Sequence, residues 1–147
     1  MTVYSNILLK VNGKLNGTNH KIADDRDALL KSLMAPIENV MYLGADVTHP
    51  SPDQRQIPSV VGVAASHDKY GACYNCQYRL QVPTKECIED MESIVSEHLK
   101  IYNRYQKKYP SKIIYYRDGV SDGQFPEIKK VEIRCIQNAC KRMVKFL

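Results

Sequence analysis

With 147 residues, 44% of them hydrophobic and 25% charged, the chain is the size of one domain and large enough to bury a substantial core. It has no apolar run near the ~18 residues of a membrane span. Its start, "MTVYSNILLKVNGK", lacks the basic head, apolar centre and cleavage site of a signal peptide, so a soluble cytoplasmic protein is expected. Five cysteines, an odd number in a chain that needs no staples, point to reduced thiols. The formal charge of +5 is uneven: residues 1–99 carry 9 basic and 12 acidic side chains, residues 100–147 carry 12 and 4. A basic half of this kind suits a polyanionic partner or a solvated face.

In chain order, Val3, Ile7, Leu8, Val11 and Leu15 keep helical spacing up to the breaker Asn16-Gly17. Residues 16–40 read as a connector with a short helix around Ala28–Met34, and residues 41–147 as the core domain. "NVMYLGADVTHP" predicts a strand stopped at His49-Pro50, and "SPDQRQIP" a loop. "SVVGVAASHD" has the small apolar residues of a central strand, and "YGACYNCQYRLQ" forms a third. In a strand Cys73 and Cys76 would point to opposite faces, and no second Cys/His pair lies at ligand spacing, which argues against zinc.

Pro83-Thr84 predicts the start of a helix that runs to Tyr109-Pro110 through Ile88, Met91, Ile94, Val95, Leu99, Tyr102 and Tyr105. "KIIYYRD" is a fourth strand. After Gly119–Gly123, with Asp122 as its cap, comes a helix with Pro126 early. Its apolar stripe is Ile128, Val131, Cys135, Ala139 and Met143, opposite Lys130, Arg134, Lys141 and Lys145. The order β-β-β-α-β-α predicts an α/β fold: an antiparallel meander joined by a parallel fourth strand in a mixed sheet flanked by helices.

Two strand ends carry chemistry. Alternation puts Tyr42, Gly44 and Asp46 on one face of the first strand, and Ile114, Tyr116 and Asp118 on one face of the fourth. Each strand is apolar until it leaves the sheet with an aspartate. On neighbouring strands the two carboxylates would raise each other's pKa unless a cation sat between them. Hard oxygen ligands suit Mg²⁺ or Mn²⁺. Glu86, just inside the predicted helix, is the third acid in reach. The alternative for any one of them is a turn or capping residue.

"YLGADVTHP", "PSVVGVAASHD", "ECIEDM" and "IIYYRDGVSDGQF" resemble the PIWI domain of eukaryotic Argonaute proteins, nearest the short-interfering-RNA class of insects, over nearly the whole chain. The resemblance implies an RNase H-like fold and a small-RNA-guided RNA endonuclease of RNA interference. Its partners would be a small guide RNA, a complementary target RNA and other silencing-complex proteins. It makes Asp46, Glu86 and Asp118 the catalytic and Mg²⁺-binding residues, with a fourth, histidine or aspartate, beyond Leu147; none of His20, His49, His67 or His98 matches it. The fold would then be truncated before the C-terminal part of the PIWI domain. It also matches Lys10 and Lys14 to lysines that grip the guide's 5′-phosphate; a spacing of four puts both on one helix face. The alternative is a non-catalytic fragment that binds RNA or protein without cutting.

Overall fold

The computed structural model describes residues 2–20, 39–54 and 56–144. The expected helix around Ala28–Met34 and Lys145 lie outside them. The elements are helix α1 (Val3–Lys14), strands β1 (Val40–Thr48), β2 (Ser59–Ser66) and β3 (Tyr74–Gln81), helix α2 (Met91–Gln106), strand β4 (Lys112–Arg117) and helix α3 (Phe125–Val144). They form one four-stranded sheet in the order β3-β2-β1-β4. The first three strands are an antiparallel meander, and β4 joins β1 in parallel, as expected for the mixed sheet.

The core follows from the period-2 pattern of the strands. Met41, Leu43, Ala45 and Val47 of β1 alternate inward, and the register sets them beside Val61, Val63 and Ala65 of β2. Against this face pack Met91, Ile94, Val95, Leu99 and Tyr102 of α2 and Ile136, Ala139 and Met143 of α3. At β3 the inward side is polar. Arg79 pairs with Asp90 at 2.7 Å and Glu97 at 3.0 Å, and Asn75 lies 2.5 Å from His98. The other face of the sheet is open, with Tyr78 and Tyr116 exposed on either side of β1 and β2.

Three sequence expectations are corrected. Helix α2 begins at Met91, not at Pro83-Thr84: Thr84 takes a left-handed conformation at φ 66°, and the Gln81 amide donates to the carbonyls of Lys85 and Cys87. Both features hold 82–90 as a loop rather than a first turn. Ser121, not Asp122, caps the turn before α3, with the Gln124 side chain closing back on the Ser121 N–H. The buried stripe of α3 is Ile128, Glu132, Ile136, Ala139 and Met143, while Val131 is exposed. The stripe turns because it takes in a carboxylate, which hydropathy counts as outward-facing.

Helix α1 buries none of its residues, and Val3, Tyr4, Leu8 and Leu15 are largely exposed. No helix among the described residues is long and apolar enough to cross a membrane. The five cysteines are free thiols.

Burial holds His98 far below the ordinary imidazole range, at about 4, only partly offset by a hydrogen bond to the backbone of Val63. Its folded pKa therefore lies below its unfolded one. Its contribution to stability is complete above pH 6.5 and is lost as the pH falls from there toward 4, by about 1.4 kcal/mol per pH unit. Chemical denaturation between pH 7.5 and 4 should show this loss, and His98→Gln should remove this part of the slope.

Candidate metal and phosphodiester site

Asp46 and Asp118 meet because β1 and β4 run parallel in one register. Ala45 pairs with Arg117, and the Asp118 N–H continues the ladder with a 3.0 Å bond to the Ala45 carbonyl. Asp118 is thus carried alongside Asp46, where both chains leave the sheet. Alternation turns both side chains to the open face, and both are exposed. One oxygen of Asp46 accepts from the Val47 N–H at 2.8 Å, and one of Asp118 from the Gly119 N–H at 2.8 Å. Gly44, Gly62, Tyr78 and Tyr116 line a shallow trough of about 520 Å³ beside them. Small residues at Gly44 and Gly62 leave its floor flat.

Gly119 sets the approach of the pair. It lies at φ +75°, a conformation that L side chains rarely adopt, and a Cβ there would fall 2.8 Å from Asp46 Oδ1.

Glu86 sits on the 82–90 loop, and its carboxylate is engaged elsewhere. Its Oε1 is 2.9 Å from His49 Nε2, and His49 Nδ1 is 2.7 Å from the hydroxyl of buried Ser59. Among the described residues, no three His, Cys, Asp or Glu side chains gather to hold a metal ion. Asp46 and Asp118, two carboxylates at adjoining strand ends on the open face, fit a hard divalent cation by donor type and placement. Of the Glu86 carboxylate, Oε1 is committed to His49, which leaves Oε2 as the oxygen it could offer a cation. Cys73 and Cys76 do not share a face: Cys73 is buried, with its thiol 3.2 Å from the Asn16 carbonyl, and Cys76 is exposed on the open face.

Below the site lies a residue that the pattern did not single out. Arg117 alternates inward, opposite to Asp118. Its guanidinium donates to the carbonyls of Glu86, at 2.7 Å, and Asp118, and lies 3.4 Å from Glu132, which is fully buried. Glu132 also accepts from the Tyr115 hydroxyl at 2.6 Å, and burial together with that carboxylate pushes the Tyr115 phenol far above its ordinary range. A charged residue at an inward position of an apolar strand, and an acid at a core position of a helix, were the signals for this pair. Lys10 and Lys14 lie exposed, one turn apart on α1, in its C-terminal half.

The model of the Piwi domain matches residues 1–146 of this chain. The chain belongs to the Piwi domain family. It is 64% identical over 138 residues to Protein argonaute-2 of Drosophila melanogaster, covering 94% of this chain and 11% of that protein. The Kluyveromyces polysporus Argonaute solved with a guide RNA superposes with a TM-score of 0.81 at 31% identity, over 97% of this chain and 16% of that one. The C-terminal lobe of a budding yeast Argonaute superposes equally well, at 0.81 and 32% identity, over 97% of this chain and 28% of that one. This Piwi chain spans between 11% and 14% of the length of the curated relatives it matches. Its mixed sheet flanked by helices is the Piwi architecture of the Argonaute lobe.

Gly119→Ala should strain the backbone and press on the Asp46 carboxylate at once, a loss of about 1–3 kcal/mol. Thermal melting should show it, and Gly123→Ala, where a Cβ meets open space, should cost less than half as much.

Proposed function

We propose that this Piwi chain contributes the catalytic carboxylates of a small-RNA-guided RNA endonuclease that cuts a target RNA paired to its guide. The observation that carries the reading is the parallel β1/β4 register, which delivers Asp46 and Asp118 side by side to one open face. Two acids placed so would repel each other unless a cation lay between them. Mg²⁺, with Mn²⁺ as a substitute, is the ion their oxygens suit.

Asp46 and Asp118 would hold the ions, and Glu86 would complete the set through Oε2, the oxygen not bonded to His49. Bound there, a pair of divalent ions would supply an activated water and charge stabilisation at the leaving 3′ oxygen, giving a 3′-hydroxyl and a 5′-phosphate. The chain's own part is placement. Gly119 lets Asp46 sit against the turn that follows Asp118, and the flat floor at Gly44 and Gly62 leaves space for a sugar-phosphate backbone. Lys10 and Lys14 would meet the guide's 5′-phosphate as two point charges. Base pairing with the guide would select the target, while the protein met backbone and A-form shape. The setting would be a cytoplasmic silencing complex with further proteins.

A second reading has its own observation. Glu86 is bonded to His49, and no three acid, histidine or thiol groups gather among the described residues. That favours a module that binds RNA or protein without cutting it.

Cleavage of a guide-paired RNA by the longest natural protein that carries this chain separates the two. Mg²⁺-dependent cutting that falls at least about 100-fold in both Asp46→Ala and Asp118→Ala is expected for the nuclease. Binding without cutting supports the second reading, and cutting that survives Asp118→Ala removes the metal assignment.

A further inference from the structure

Glu132 is the sole fully buried acid among the described residues, and it stands on the core face of α3, where an apolar side chain would cost less to bury. Its bonds run to three residues in two separate parts of the chain, the 82–90 loop and β4. Oε1 accepts from the Ile88 N–H at 3.0 Å and lies 3.4 Å from Arg117 Nε; Oε2 accepts from the Tyr115 hydroxyl at 2.6 Å. Arg117 extends the reach, donating to the Glu86 carbonyl at 2.7 Å and to the Asp118 carbonyl. The main chain just after the Glu86 side chain is therefore held on both sides of Cys87, at the Glu86 carbonyl and the Ile88 amide. Through the same guanidinium it is tied to the main chain that carries Asp118.

We propose that Glu132 is a positioning residue of this site: one buried carboxylate fixes the Glu86 loop and the Asp118 turn relative to each other from beneath the sheet. The link is mechanical as well as electrostatic. Loop 82–90 belongs to neither β4 nor α3; the Gln81 amide ties it to β3 and Ile88 packs in the core, and the Glu132 carboxylate adds the polar link to the Asp118 turn. A carboxylate serves where an apolar residue could not, because the carboxylate accepts from an amide, a phenol and a guanidinium at once. The anchoring stands on geometry alone. Its consequence for divalent-ion binding rests on the nuclease reading above.

The test compares Glu132→Gln with Ile136→Ala in the full chain. The second variant opens a cavity one turn further along the same helix face and leaves the network intact. Amide hydrogen exchange is read at residues 86–88 and at Gly119, whose N–H touches neither Glu132 nor Arg117, and Mn²⁺ affinity is read by titration. In Glu132→Gln, exchange at these amides should quicken by about tenfold more than the rest of the chain, and Mn²⁺ affinity should fall several-fold. In Ile136→Ala these amides should follow global stability. Tyr115→Phe, which keeps the ring and drops one bond to Glu132, should show the same local pattern more weakly, and it carries the test if Glu132→Gln does not fold. Two variants that match at these amides, or an unchanged Mn²⁺ affinity in Glu132→Gln, overturn the proposal. Asp46→Ala is the control for the nuclease reading. If Mn²⁺ affinity does not depend on Asp46, that reading fails, while hydrogen exchange still decides the anchor.

Discussion

The parallel pairing of β1 with β4 is the constraint on which the rest of the site depends. A one-residue slip in this ladder would flip Asp118 to the helix-covered face and raise Arg117 to the open one. The register is secured from both sides. Inward-facing Met41, Leu43 and Ala45 pack under α2 and α3, and Ile113 and Tyr115 share that cover. Core packing thereby fixes which residues leave the sheet upward. Beneath them, Arg117 and Glu132 convert the same register into a tie on the Glu86 loop.

Two kinds of surface result. The helix-covered face is stabilised by ordinary apolar burial and holds the buried Arg117–Glu132 pair and, at β3, Arg79 with Asp90 and Glu97. The open face carries tyrosines, small residues and two carboxylates. The acids cost little there as long as water or a cation meets them, whereas Glu132 is tolerated in the core because its oxygens are hydrogen-bonded. The chain thus leaves two carboxylates exposed at strand ends and keeps the Arg117–Glu132 pair inside.

Much of this was legible in the residues. The strand runs around "YLGAD" and "IIYYRD" alternate cleanly, so their faces followed from period alone, whereas the pairing of the two aspartates needed β4 beside β1, which period does not express. The mixed topology followed from three adjacent strands and one crossover helix. The 82–90 segment was misread because Pro83-Thr84 looks like a helix start, whereas the loop is set by a left-handed Thr84 and by the side-chain amide of Gln81, a tertiary bond that no local pattern carries. Glu132 was missed for a related reason. Hydropathy assigns an acid to the wet side of a helix, and only the partners on β4 and the loop make its burial tolerable. The bond from His49 to Glu86 joins residues 37 positions apart, which periodicity cannot express.

The central claim is that Asp46 and Asp118 together hold a divalent cation. The most direct measurement is anomalous diffraction from crystals of the protein grown with Mn²⁺. A Mn²⁺ peak within about 2.3 Å of an oxygen from each aspartate, lost in Asp46→Ala, is the predicted result. A structure in which Mn²⁺ at saturating concentration leaves both carboxylates uncoordinated would contradict the account.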